Sequence, residues 1–235
     1  KANMKKEHLK GGIVIGLFLF LAFYVQTVGL QYTTPSNNAF ITASNVVMVP
    51  FLWWIISKKR PSIKIFISSF LCLLGIGILS FNFSTGISFK LGDLLTLLCA
   101  LLFACHIVVV GHFAPQADGV ALSCAQFFVA GLMTLPIAFL TEHIPLAGIW
   151  EAKWALLYVG VLSCGVAYTL QIVGQKDTPP AIASLTMSLE SVFSAIAGAI
   201  ILHETLQPRE MLGCALMLAA VMIAQLPIGR QKKAA

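Results

Sequence analysis

Eight apolar runs of close to 20 residues, separated only by short polar breaks, decide what this chain can fold into. A helix of about 20 residues crosses a hydrocarbon core about 30 Å thick, and inside that core each backbone polar group has to be satisfied within the helix itself. The runs are Ile13 to Gln31, Ser36 to Ser57, Lys64 to Phe81, Leu91 to Phe113, Val120 to Leu140, Trp154 to Gly174, Pro180 to Leu202 and Pro208 to Leu226. Turn chemistry fills the breaks: Thr34-Pro35, Lys59-Arg60-Pro61, Pro115 to Gly119, Asp177 to Pro180, and Gln207-Pro208. None is long enough to separate soluble domains, so residues 1–235 form a single membrane domain. Only 10% of residues are charged and 58% are hydrophobic, against about a quarter charged in soluble domains. The expected fold class is an all-α integral membrane protein, a helical bundle of eight transmembrane spans. Lys1 to Lys10 followed by an apolar stretch imitates a secretory leader, but the stretch is too long and further spans follow, so it reads as a retained helix.

The distribution of cations then gives an orientation. With eight spans, the loops alternate between sides, and twelve of the 15 Lys and Arg residues fall on the side holding both termini, among them Lys58, Lys59, Arg60 and Lys64. Lys90, Lys153 and Arg209 fall on the other. Positive residues stay inside, which puts both ends of the chain in the cytoplasm, the membrane being a bacterial cytoplasmic membrane. The net charge of +6 therefore reports topology rather than a basic face for nucleic acid. The six cysteines all lie in apolar runs, without a CxxC pair or a histidine at ligand spacing, and read as small core residues.

Sliding the chain by 145 positions exposes an internal repeat. Gln26, Val28, Gly29, Thr33 and Pro35 fall on Gln171, Val173, Gly174, Thr178 and Pro180, and Val47, Ile56, Leu71 and Ile78 fall on Val192, Ile201, Leu216 and Ile223. The second copy starts five spans after the first, and an odd offset turns it over in the membrane. Inverted repeats are the architecture of many secondary transporters, with the binding site near the midplane. Residues 13–81 are then a partial first repeat of three spans and 91–226 a second repeat of five. On this reading the parent is a ten-helix (5+5) inverted-repeat transporter, of which this chain lacks the first two helices; a natural eight-span protein starting at Met4 is the competing expectation.

Two stretches carry a likeness to a known family: Thr34-Pro35-Ser36-Asn37-Asn38-Ala39-Phe40-Ile41-Thr42 before a span ending in Lys58-Lys59-Arg60-Pro61, and Ala181 to Glu190 before Leu202-His203-Glu204-Thr205-Leu206. Together they resemble EamA-type members of the drug/metabolite transporter superfamily, over nearly the whole chain. The resemblance implies ten helices in two inverted halves and transport of small solutes, often export of amino acids or other metabolites. This chain departs from the family pattern at two places. Ser191 follows Glu190 where the family often has proline, and Lys59 replaces an acidic residue common after the fourth helix.

The candidate substrate-binding residues are the polar groups that apolar spans have reason to avoid. Glu190 lies near the middle of its span, where a carboxylate is expensive unless it faces protein or water. Shifted by 145 positions its partner is Asn45, also near mid-span. Asn38, Thr42 and Asn45 repeat at helical spacing, as do Cys164, Tyr168, Gln171 and Gln175, so each set forms one stripe. His106 sits inside the fourth span with a side chain suited to proton relay. Each of these also has a plain structural reading as a hydrogen bond between helices. Pro50 and Pro136 lie inside spans and mark expected bends.

The composite reading is a secondary transporter that moves a small metabolite, an amino acid or related solute, by alternating access, with the bilayer and its substrate as partners; a homodimer stays open. The alternatives are a passive channel or a non-transporting scaffold, and less readily a membrane enzyme. No cluster of carboxylates, histidines or a nucleophile with its base marks a catalytic site, no phosphate loop points to ATP, and no metal or cofactor is implied.

Overall fold

The computed structural model describes residues 6–80, 91–141, 146–201, 203 and 205–226. Among them there is no strand, and eight spans are long and apolar enough to cross a membrane: His8–Leu30, Pro35–Ser57, Ile63–Ser80, Leu91–Gln116, Gly119–Thr141, Lys153–Gln175, Pro180–Ile201 and Pro208–Gln225. The expected bundle of eight spans is therefore what forms. Phe81 and Leu202, the expected ends of the third and seventh spans, lie outside the described residues.

Several of these spans are assembled from more than one helix. The first is a single helix, α1 (Lys6–Leu30), which begins seven residues before the expected Ile13 because the polar Lys6 to Lys10 segment continues its first turns. The second divides into α2 (Pro35–Ala43) and α3 (Asn45–Ser57). Then follow α4 (Ile63–Ser80), α5 (Leu91–Phe113) with a short 3₁₀ turn after it, and α6 (Gly119–Thr141). A short helix α7 (Leu146–Glu151) precedes the sixth span, which runs as α8 (Lys153–Leu157), a π-helical stretch Tyr158–Ala167, and α9 (Tyr168–Gln175). The seventh divides into α10 (Pro180–Met187) and α11 (Glu190–Ile201), and α12 (Pro208–Gln225) closes the chain's described part.

Two packed groups anchor the bundle. In the first, α1 lies against both α5 and α6, around a buried cluster of Ile15, Val110, Ala114, Leu122 and Ile172. In the second, α4 and α12 cross closely, because glycine meets glycine: a Cβ on Gly75 would come 2.8 Å from the Gly213 carbonyl oxygen, and one on Gly213 2.7 Å from that of Gly75. Helices in lipid gain little from hiding apolar surface from one another, so close backbone approach at small residues supplies the association. Large apolar side chains such as Phe128 and Phe139 point outward, 72% and 71% exposed, as a lipid-facing surface requires. Among the cysteines Cys72 and Cys99 are core residues as expected, whereas Cys124 faces outward.

Neither expected proline bend interrupts its helix. Pro50 sits inside continuous α3 and Pro136 inside continuous α6. The interruptions fall instead at Ser44 and at Ser188-Leu189, where hydroxyls compete for the backbone ladder. Ser44 Oγ donates to the Ile41 carbonyl at 2.6 Å, and Ser188 Oγ donates to the Ser184 carbonyl at 3.0 Å. Such back-bonding weakens the helix at that turn.

Candidate functional site

The two divided spans start and divide at matching places. Pro35 and Pro180 open them, α3 begins at Asn45 and α11 at Glu190, and each pair is 145 residues apart. From the opening proline to Asn45 or Glu190 is ten residues, about 15 Å of helix, half of a hydrocarbon core of about 30 Å. Both polar residues are thus the first residue of a half-helix at mid-membrane depth. Each half-helix start carries a partial positive charge, although across the interruptions the Val47 and Met48 N–H groups donate to the Ser44 carbonyl and that of Ser191 to the Ser188 carbonyl. The two interruptions also meet: Val46, next to Asn45, shares one buried cluster with Leu185 and Val192, which flank Glu190, and with Cys72, Ile76 and Met217 of α4 and α12. The family's proline after Glu190 is absent, yet the helix divides there all the same.

Glu190 is exposed, and no described residue pairs with it by hydrogen bond or ion pair. The Tyr168 phenol lies within electrostatic reach of it, and of Cys99 and Cys164. Thr42 stands within hydrogen-bonding reach of the Cys99 thiol, its hydroxyl buried. Cys99 thus links Thr42 to Tyr168, and Tyr168 in turn lies near Glu190. Gln171 is one turn beyond Tyr168 on α9, and both, with Gln175 and with Cys164 of the preceding π-helical stretch, are buried or half-buried while most of their neighbours are exposed. Wide π-helical turns cluster at functional positions, and the stretch Tyr158–Ala167 delivers the chain directly to Tyr168.

His106 is 1% exposed, and its Nε2 lies 3.2 Å from Gln126 Oε1. Its ring meets the Tyr168 ring edge-on at 6.1 Å between centroids, while Phe127 and Phe23 flank Tyr168 at 5.7 and 6.1 Å. His106 is therefore held between Gln126 and the Tyr168 ring. Gln126 was not foreseen from the sequence; the only signal was a lone amide in an apolar span.

Asn38 is placed apart from this group. Its Nδ2 donates to Thr96 Oγ1 at 3.0 Å and its Oδ1 accepts from Gln26 Nε2 at 3.4 Å, while Thr96 Oγ1 donates to the Gly92 carbonyl at 2.7 Å. Beside this chain of bonds Thr33 donates to the buried carboxylate of Asp93. Asn38 ties α2 to α1 and α5. Among the described residues no three His, Cys, Asp or Glu side chains converge as metal ligands would.

The sequence profile of the EamA-like transporter family matches residues 1–81 and 90–225. An uncharacterized transporter of Archaeoglobus fulgidus is 32% identical over 227 residues, covering 96% of this chain and 71% of the relative. The threonine/homoserine exporter RhtA of Escherichia coli is 27% identical over 144 residues, 57% of this chain and 47% of that protein. A crystal structure of another protein has the same fold, with a TM-score of 0.78 over 95% of this chain and 77% of that one at 17% identity. With the profile matched over nearly all of its eight spans and transporters among its relatives, this membrane protein belongs to the EamA-like transporter family.

Proposed function

We propose that the protein is a secondary transporter in which two inverted, related halves alternate access to a site between the paired helix interruptions. The matching interruptions carry this reading: two spans with the same starting proline divide at the same place and present Asn45 and Glu190 at the same depth. Interrupted helices near the midplane are where inverted-repeat transporters place their binding sites. Glu190 receives the amino group of the solute, Thr42, Asn45 and Tyr168 complete the polar wall, and His106 holds Tyr168 in place through its packed ring. A small amino-bearing metabolite fits such a wall, and an exporter named for threonine and homoserine is among the relatives. The excess of Lys and Arg on one side sets both chain ends in the cytoplasm.

The test is flux of labelled threonine, homoserine and a panel of other amino acids, polyamines and organic cations from vesicles containing the full chain, alongside thermal unfolding with each solute. A transported solute that also raises the unfolding temperature, with both effects lost in Glu190→Gln, supports the reading. Ion conductance at channel rates, or solute flux indifferent to Glu190→Gln, overturns it.

A further inference from the structure

Away from the midplane, the end of the bundle where α3 turns into α4 combines three features that the transport reading does not use. The chain reverses at Lys58, which has a left-handed φ of 55° and closes α3 through its N–H to the Trp54 carbonyl at 2.9 Å. Lys58, Lys59 and Arg60 are exposed on this turn, Lys64 is half-buried just inside it, and none of the four pairs with a carboxylate among the described residues. Beneath them lies a cavity of about 340 Å³ between the start of α4, the start of α10 and the end of α12, lined by Ser62, Lys64, Ile182, Ala224 and Gln225. The outer face of the same helix carries an apolar groove of about 460 Å³ along Ile63, Phe66, Phe70 and Leu74. Those residues recur at helical spacing and so form one continuous stripe running from the cations toward mid-membrane.

We infer that this end of the bundle is a binding site for one anionic phospholipid, with its phosphate in the cavity at Lys64 and an acyl chain along the α4 groove. A cavity at the ends of three spans, carrying a cation and uncharged hydrogen-bonding groups, has the chemistry that holds a phosphate headgroup. Ser62 already accepts the Lys64 N–H at 3.3 Å, which leaves its hydroxyl hydrogen for the phosphate. Arg60 is held over Trp54, its guanidinium carbon 5.5 Å from the ring centroid, and Trp54 in turn meets Phe66 at the head of the groove, 6.5 Å between centroids. Arg60 and the groove are thus one assembled surface, and Lys64 follows Ile63 at the groove's head. A bound lipid would clamp the start of α4 to those of α10 and the end of α12, the faces that move if α10 and α11 rock.

The test is native mass spectrometry of the full chain released from nanodiscs of mixed phosphatidylglycerol and phosphatidylcholine, with thermal unfolding in each pure lipid. The expected result is one retained phosphatidylglycerol, preferred about tenfold over phosphatidylcholine, the preference falling about fivefold in Lys64→Gln. Ala224→Phe fills the cavity without changing charge and abolishes retention, whereas Lys10→Gln, an equal loss of charge on α1, leaves it intact. Equal retention of the two lipids overturns the assignment. So does a preference lost equally in Lys10→Gln, one kept in Ala224→Phe, or stabilisation by inorganic phosphate alone that matches phosphatidylglycerol.

Discussion

In the first divided span, Asn38 on α2 is fastened to Thr96 and Gln26 by side-chain hydrogen bonds; at the matching place in the second, Ala183 on α10 is buried with nothing polar to fasten it. Beyond the interruption the contrast reverses, since α3 opens on a neutral amide at Asn45 and α11 on a carboxylate at Glu190. The helix after the charge also differs: α3 buries Val46, Val49 and Pro50, while α11 buries only Val192. Related spans have thus divided their labour. One is fastened by side-chain hydrogen bonds before its interruption and packed after it, whereas the other is packed before it, at Pro180, Ala181, Ala183, Ser184 and Leu185, and carries the charge on a lightly packed half-helix after it. Under the proposed alternating access, the charge would ride on the half-helix with the fewest packing contacts to give up.

If that division is right, Glu190→Gln lowers transport at least about tenfold, equivalent to about 1.4 kcal/mol of lost stabilisation, while the unfolding free energy stays within about 0.5 kcal/mol, as for other exposed positions. Asn45→Ala lowers transport less. The reverse ranking in a flux assay would assign the grip to the first span.

Giving the second span the first span's fastening residue tests the other half of the contrast. Ala183→Asn places an amide where only 7% of the residue is exposed and no partner waits, which costs about 2 kcal/mol. Thermal unfolding in nanodiscs measures it. A variant as stable as the parent would mean that α10 shifts freely enough to find a partner, and the packed description of α10 would fail.

Removing the fastening itself has a smaller effect. Asn38→Ala lowers stability by about 1 kcal/mol, the usual size of an interhelical hydrogen bond in a membrane, and leaves transport changed by less than the Glu190 variant. Because Asn38 and Thr96 share one bond, Asn38→Ala combined with Thr96→Ala costs less than the two single losses together. Additive losses would show that the bond contributes nothing.

The eight spans were legible because length and apolarity alone set them, and the stripe of Cys164, Tyr168, Gln171 and Gln175 because helical spacing predicts one face. The interruptions were not. Proline is the visible breaker, and it drew attention to Pro50 and Pro136, but a proline can sit in a continuous helix when neighbours satisfy the freed carbonyl. Ser44 and Ser188 act through hydroxyls that bond their own backbone, which serines elsewhere do without dividing a helix. Asn38 was legible as a polar residue with a hydrogen bond between helices as one of its readings, but its partner was not, since Thr96 is 58 positions away. The His106–Gln126 contact was hidden for the same reason, the pair meeting across two spans.

The finest test of the contrast lies at the two helix starts. Thr34 caps α2 with its side chain, its Oγ1 accepting the Asn37 N–H at 3.2 Å, whereas Pro179 has no side-chain oxygen to offer, and at the matching position of α10 the Ile182 N–H goes to the Pro179 carbonyl at 2.9 Å. Thr34→Ala therefore strips a partner from one amide and costs about 0.5 kcal/mol, the low end for a lost cap on an exposed start. Hydrogen exchange resolves so small a change where unfolding does not: the Asn37 amide speeds up, and the Ile182 amide keeps its parental rate because its acceptor is backbone. Unchanged exchange at Asn37 would mean that water replaces the threonine at no cost, and that the first span is held by Asn38 alone. Faster exchange at both amides would be more consequential, because among the described residues no hydrogen bond joins Thr34 to α10. The two starts would then open together, and the two differently fastened spans would be a single coupled unit.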